Sequence, residues 1–148
     1  MPVETINWVN GKIKFINQTK LPGKLEFVYC DDLKRLWKAI KDLEIRGAPA
    51  IGIAGALGAA LGARNSKAKD FKRFFKDLKA ITKFLASSRP TAVHLFWALE
   101  RMEDVAKANR YKPVSRIKEL ILEDAIKVII EDKKSCRAMA RFGASLVR

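Results

Sequence analysis

Between Arg46 and Arg64 the chain carries no charged residue, although such residues make up 31% of its 148 positions. The run Gly47-Ala48-Pro49-Ala50-Ile51-Gly52-Ile53-Ala54-Gly55-Ala56-Leu57-Gly58-Ala59-Ala60-Leu61-Gly62-Ala63 is almost entirely small or aliphatic. A helix made of it has no polar face and belongs at the centre of the fold. Pro49 suits a first helical turn, where its missing N–H removes no intrahelical bond. The run therefore predicts a helix from near Ala48 to about Ala63. Each glycine lowers intrinsic helix propensity by roughly 1 kcal/mol relative to alanine. Close approach of another backbone, or of a ligand, must compensate.

The start of this helix has a second property. Its first N–H groups and its dipole make a positive end, and Arg46 just ahead of it can fork onto a phosphate. Arginine, glycine and a helix start together can form an anion cradle. Equally, the glycines can serve packing alone. Arg89-Pro90-Thr91 repeats the arrangement, with an arginine at a chain break before another helix. Two such arginines can clamp one sugar phosphate if the helix starts converge, which sequence spacing does not decide. In the plainer alternative, Ser87 and Ser88 end one helix and Thr91 caps the next.

The remaining segments predict an α+β, mostly helical fold. Thr5–Val9 and Lys12–Ile16 alternate around Asn10-Gly11, a type I′ hairpin signal. After a loop over Gln18–Gly23, a third strand is expected over Leu25–Cys30, with Leu25, Phe27 and Tyr29 on one face. About five helices follow. The first is capped by Asp31 or Asp32 and runs to about Leu43, with Leu33, Leu36, Trp37, Ile40 and Leu43 as its apolar face. After the central helix, one begins near Lys67 with a stripe of Phe71, Phe74, Phe75, Leu78, Ile81 and Leu85. The next runs from about Thr91 to Asn109, packing through Val93, Phe96, Trp97, Leu99 and Met102. The last is capped by Ser115, carries Ile117, Leu120, Ile121, Ile126, Ile129 and Ile130, and reaches the end with a break near Gly143. The expected organisation is one unit over 1–148, with the small antiparallel sheet in 1–30 and the helical part in 31–148. No βαβ alternation occurs, so no Rossmann fold is expected here.

Composition narrows the chemistry. Hydrophobic residues at 49% suffice for a real core, and the net charge of +14 favours anionic partners. The lysines are scattered over several helices without an RNA-binding signature, which argues against nucleic acid. Cys30 and Cys136 form no CxxC pair, so neither a disulfide framework nor a metal site is supported. His94 is the sole histidine, and no nucleophile–base–acid set occurs at a recognisable spacing. The N-terminus shows no signal peptide, and the apolar run is too short and too rich in Ala and Gly to insert in a bilayer. A cytoplasmic protein is expected.

Arg46-Gly47-Ala48-Pro49-Ala50-Ile51-Gly52 and Arg89-Pro90-Thr91-Ala92-Val93-His94-Leu95-Phe96-Trp97-Ala98 resemble the two signature stretches of the methylthioribose-1-phosphate isomerase family. Ile6-Asn7-Trp8, Asn10-Gly11 and Asn17-Gln18-Thr19-Lys20-Leu21-Pro22 resemble its opening, and the likeness covers essentially the whole chain. The superfamily also includes ribose-1,5-bisphosphate isomerase and regulatory subunits of the translation-initiation exchange factor. The resemblance implies isomerisation of methylthioribose-1-phosphate to methylthioribulose-1-phosphate in methionine salvage, without a cofactor. It implies that Arg46, Gly47, Ala48 and Arg89 hold the substrate phosphate. His94, a further candidate, stands where the family usually has asparagine. The family's catalytic cysteine and aspartate belong to a Rossmann-like C-terminal domain absent from this sequence, and no catalytic role passes to Cys30 or Cys136. The resemblance thus implies an N-terminal half (a fragment, a split gene product or a remnant), inactive without a C-terminal half or dimer partner. The alternatives are a regulatory or interaction module like the exchange-factor subunits, or a ribose-1,5-bisphosphate isomerase-like protein.

Overall fold

The computed structural model describes residues 3–147. Strands β1 (Ile6–Val9), β2 (Lys12–Ile16) and β3 (Phe27–Cys30) form an antiparallel sheet in that order. Asn10 and Gly11 turn the hairpin with φ of 49° and 77°, the double left-handed conformation of a type I′ turn. The guanidinium of Arg64 donates to the Gly11 carbonyl at 2.9 Å and lies over the Trp8 ring, fixing the hairpin to the helical part.

The register pairs Ile13 with Cys30 and Phe15 with Val28. Side chains alternate across a strand, so Val28 and Cys30 face the core. Leu25, Phe27 and Tyr29, expected as the packed face, are exposed, and Lys14 lies over the Phe27 and Tyr29 rings on the outer surface.

Helices α1 (Leu33–Lys41), α2 (Ala48–Arg64), α3 (Phe71–Ala86), α4 (Val93–Ala108) and α5 (Val114–Leu146) follow. Asp32 and Asp70 cap α1 and α3 by accepting from the N–H groups of Arg35 and Arg73. The Asp70 cap starts α3 at Phe71 rather than near Lys67. Leu43 lies beyond the end of α1, exposed, with a φ of 61°. Trp37 is half-buried rather than in the core: it stacks on Phe84 and donates from Nε1 to Ser87 Oγ at 2.9 Å.

Helix α2 is the hub. Every residue from Ile51 to Ala63 is buried. A Cβ at Gly58 would lie 2.6 Å from Leu36 of α1 and 2.9 Å from Leu85 of α3. One at Gly55 would lie 2.7 Å from Leu95 of α4. The glycines therefore form slots into which the surrounding helices press large side chains, and dense packing offsets their weak propensity.

Helix α4 buries Leu95, Ala98, Leu99, Met102 and Ala106, whereas Val93, Phe96 and Trp97 stay exposed, contrary to expectation. Helix α5 starts directly after Pro113. Ser115 falls inside its first turn and makes no cap, and Ile130 is exposed. The helix continues through Gly143 without a break. Its 33 residues span about 50 Å, and beyond Lys133 every described residue is exposed.

Candidate functional site

The site forms where α2 and α4 begin. Their backbones meet closely there: a Cβ on Gly52 would lie 3.1 Å from the carbonyl oxygen of His94. Leading into α2, Ile45 is 2% exposed and its N–H bonds the Ala39 carbonyl. Arg46 therefore leaves from a fixed point. Gly47 follows with φ of 96°, a conformation that favours glycine. Leading into α4, Ser87 and Ser88 donate back to the carbonyls of Phe84 and Leu85, as the plainer reading of these serines expects. Thr91 does not cap α4.

These two entries bring Arg46, Gly47, Ala48, Arg89 and His94 to one cleft of about 410 Å³, completed by Leu43, Ile51, Ala92 and Val93. All five residues singled out from the sequence thus line the same cavity. No Asp or Glu is among its lining residues. Among the described residues, neither Arg46 nor Arg89 forms an ion pair. Unlike α1 and α3, helices α2 and α4 start without a side-chain cap. The cleft therefore combines two unpaired guanidinium groups with two helix starts whose first N–H groups lack intrahelical acceptors. Its field suits an anion.

A second groove, of about 580 Å³, shares Val93 and His94 with the cleft. Pro49, Ile53, Trp97, Val128 and Met139 make it largely apolar, with Glu131 and Asp132 at its α5 side. The Arg101 guanidinium, bonded to Glu131 at 2.6 and 3.0 Å, holds that carboxyl below its usual range. Sequence reasoning missed this groove: Val93 and Trp97 were expected to pack, although their i, i+4 spacing also fits a shared exposed face.

Neither cysteine lines the cleft. Cys30 is buried under the sheet and donates from Sγ to the Asp32 carbonyl, while Cys136 is exposed on α5. Among the described residues, no three His, Cys, Asp or Glu side chains converge as a metal-binding group. No helix among them is long and apolar enough to cross a membrane.

A methylthioribose-1-phosphate isomerase from Geobacter sulfurreducens is 46% identical over 99% of this chain and 42% of its own length. A 5-deoxyribose 1-phosphate isomerase from Moorella thermoacetica is 44% identical over 99% of this chain and 42% of its own length. Among solved structures, the 5-methylthioribose 1-phosphate isomerase of Pyrococcus horikoshii superposes with a TM-score of 0.93 at 35% identity, covering 99% of this chain and 41% of that one. The translation initiation factor eIF-2B, subunit delta, from A. fulgidus superposes with a TM-score of 0.89 at 43% identity, covering 99% and 42%. The chain spans about two fifths of the length of these relatives. Residues 44–148, which include both arginines and helices α2 to α5, match the Initiation factor 2 subunit family, and the chain belongs to that family.

Proposed function

We propose that this chain is the substrate-phosphate-binding half of an aldose–ketose isomerase acting on methylthioribose-1-phosphate or a related sugar 1-phosphate. The observation that carries this reading is the meeting of Arg46 and Arg89 in one cleft free of acids, at the starts of α2 and α4. The arginines neutralise the phosphate and the helix starts orient it. Two relatives named as sugar 1-phosphate isomerases, at 46% and 44% identity, supply the substrate class. The reaction converts methylthioribose-1-phosphate to methylthioribulose-1-phosphate without a cofactor, and the catalytic groups come from a second half.

That half docks beside the cleft. Met139, Phe142 and Leu146 are 66%, 71% and 83% exposed on the free end of α5. Their i, i+3, i+7 spacing makes one apolar stripe, and Met139 also lines the apolar groove. A stripe of this kind suits burial against that second half.

The test supplies the remaining three fifths of the Geobacter sulfurreducens relative as a separate polypeptide, with methylthioribose-1-phosphate as substrate. Turnover is expected from the mixture and from neither part alone. A pair that associates normally but converts nothing overturns the isomerase reading. The likeness to eIF-2B subunit delta supports a second reading, a regulatory module. Recovery of exchange-factor subunits in a pull-down, with no isomerase half, favours it.

A further inference from the structure

Arg46 depends for its placement on what precedes it. Leu43 opens this stretch with φ of 61°, a backbone conformation that leucine holds only where its surroundings impose it. The constraint comes from Glu44. Its carbonyl accepts from the Gln18 N–H at 2.8 Å. Its carboxylate accepts from Arg35 Nη1 at 2.5 Å and Nη2 at 2.9 Å, and from Asn17 Nδ2 at 2.9 Å. Asn17 is buried and is fixed in turn by Thr19, whose N–H and hydroxyl both donate to its Oδ1. Thus the end of the sheet and helix α1 grip one carboxylate two residues ahead of Arg46. Glu44 is not itself among the residues lining the cleft; it borders a separate polar cavity with Asn17 and Arg35.

We propose that Glu44 is a positioning residue for the anion cleft: clamped by Arg35 and Asn17, it fixes the path along which Arg46 and Gly47 enter α2. This rests on reading the cleft as a phosphate site. Charge and position make opposite demands here. A carboxylate near Arg46 repels an anion, so on charge alone its neutralisation tightens phosphate binding. If Glu44 acts by position, neutralisation loosens the arginine and weakens binding.

The experiment titrates the full chain with inorganic phosphate and follows the backbone amide resonances of residues 47, 48, 50, 51 and 93–95. E44Q is expected to weaken phosphate binding by about tenfold, equivalent to losing one charge-assisted contact from Arg46. R35M is expected to do the same, and the double variant to be no worse than either single one. Glu103→Gln, which breaks a comparable acid network with Thr82 and Lys79 elsewhere, is expected to leave affinity unchanged. Unchanged or tighter binding in E44Q, with R46A still weakening it, overturns the positioning role alone. Absence of a phosphate response in the unaltered chain overturns the cleft reading and the positioning role with it. Should E44Q fail to fold, E44D keeps the charge but shortens the arm; it is expected to weaken binding, and unchanged affinity overturns the proposal.

Discussion

The backbone of Gly52 lies against that of His94, with only 3.1 Å between the place a Cβ would occupy and the His94 carbonyl oxygen. That contact fixes how the start of α2 meets the start of α4. The packing and binding roles of the central glycines are therefore complementary: close packing at Gly52 is what brings the two arginines to one cleft.

Gly52→Ala and Gly58→Ala are expected to separate the two roles. At Gly52 the obstacle is helical backbone. The gain of roughly 1 kcal/mol in helix propensity offsets much of the clash, so urea unfolding should shift little. The displaced α4 start should nonetheless weaken phosphate binding. At Gly58 the added methyl meets Leu36 and Leu85, both fully buried. Overpacking there should cost about 1–3 kcal/mol while leaving phosphate affinity intact, since Gly58 lies about 9 Å along the helix axis from Gly52. Equal effects of both substitutions on affinity would refute this division.

The arginines themselves give a second prediction. Arg46→Ala and Arg89→Ala should each lower phosphate affinity by about tenfold or more, because each removes a charge-assisted contact. Lysine at either position should restore only part of the loss, having charge without the planar fork. Neither change should affect stability much, since neither arginine holds an ion pair among the described residues. Calorimetric titration of the variants with phosphate, alongside urea unfolding, checks both statements.

Much of this was legible in the sequence because the signals were local. The Asn-Gly turn, the aspartate cap of α1 and the repeated arginine-before-helix arrangement each sit within a few residues. Whether the two helix starts converge was not legible, because Gly52 and His94 are far apart in the chain. The phase of α4 was also hidden: Val93, Leu95, Phe96, Trp97 and Leu99 place apolar groups on several faces, and only the slot at Gly55 selects Leu95 for burial. In β3, Val28 and Cys30 are as apolar as Phe27 and Tyr29, so pairing with Ile13 and Phe15 decides the inner face. The Glu44 clamp draws Asn17, Arg35 and Glu44 from three segments and leaves no short motif.

The two cysteines should differ sharply toward iodoacetamide. Cys136 is exposed, whereas burial pushes the Cys30 thiol above its ordinary range, and the thiolate is the reactive form. At mildly alkaline pH, Cys136 should be alkylated in the folded chain and Cys30 only on unfolding. The linkage follows the same direction. Above the ordinary thiol value of about 8.5, the unfolded chain loses the Cys30 proton first, so stability should fall as pH rises from there toward the raised folded value. Mass spectrometry of alkylated peptides, with a Cys30→Ala comparison of the alkaline unfolding limb, tests this.

Arg101 ties α4 to α5 beneath the apolar groove. It donates to Asp124 at 2.7 and 3.2 Å and to Glu131 at 2.6 and 3.0 Å. Hydrogen bonds to Glu131 and then Asp124 raise the pKa of the guanidinium, which remains charged throughout. The Glu131 carboxyl is lowered by the same contact. Its stabilising effect is therefore complete above the unfolded carboxyl value of about 4.3 and is lost as pH falls through the lower folded value. Arg101→Met should destabilise the chain by about 1–3 kcal/mol at neutral pH, since it strands two acids, one of them largely buried. The substitution should also flatten the acid limb of the stability profile, because Glu131 then titrates nearer its ordinary value. Urea unfolding between pH 7 and the acid transition measures both; an acid limb as steep in the variant as in the parent chain would show that Glu131 draws no stability from Arg101.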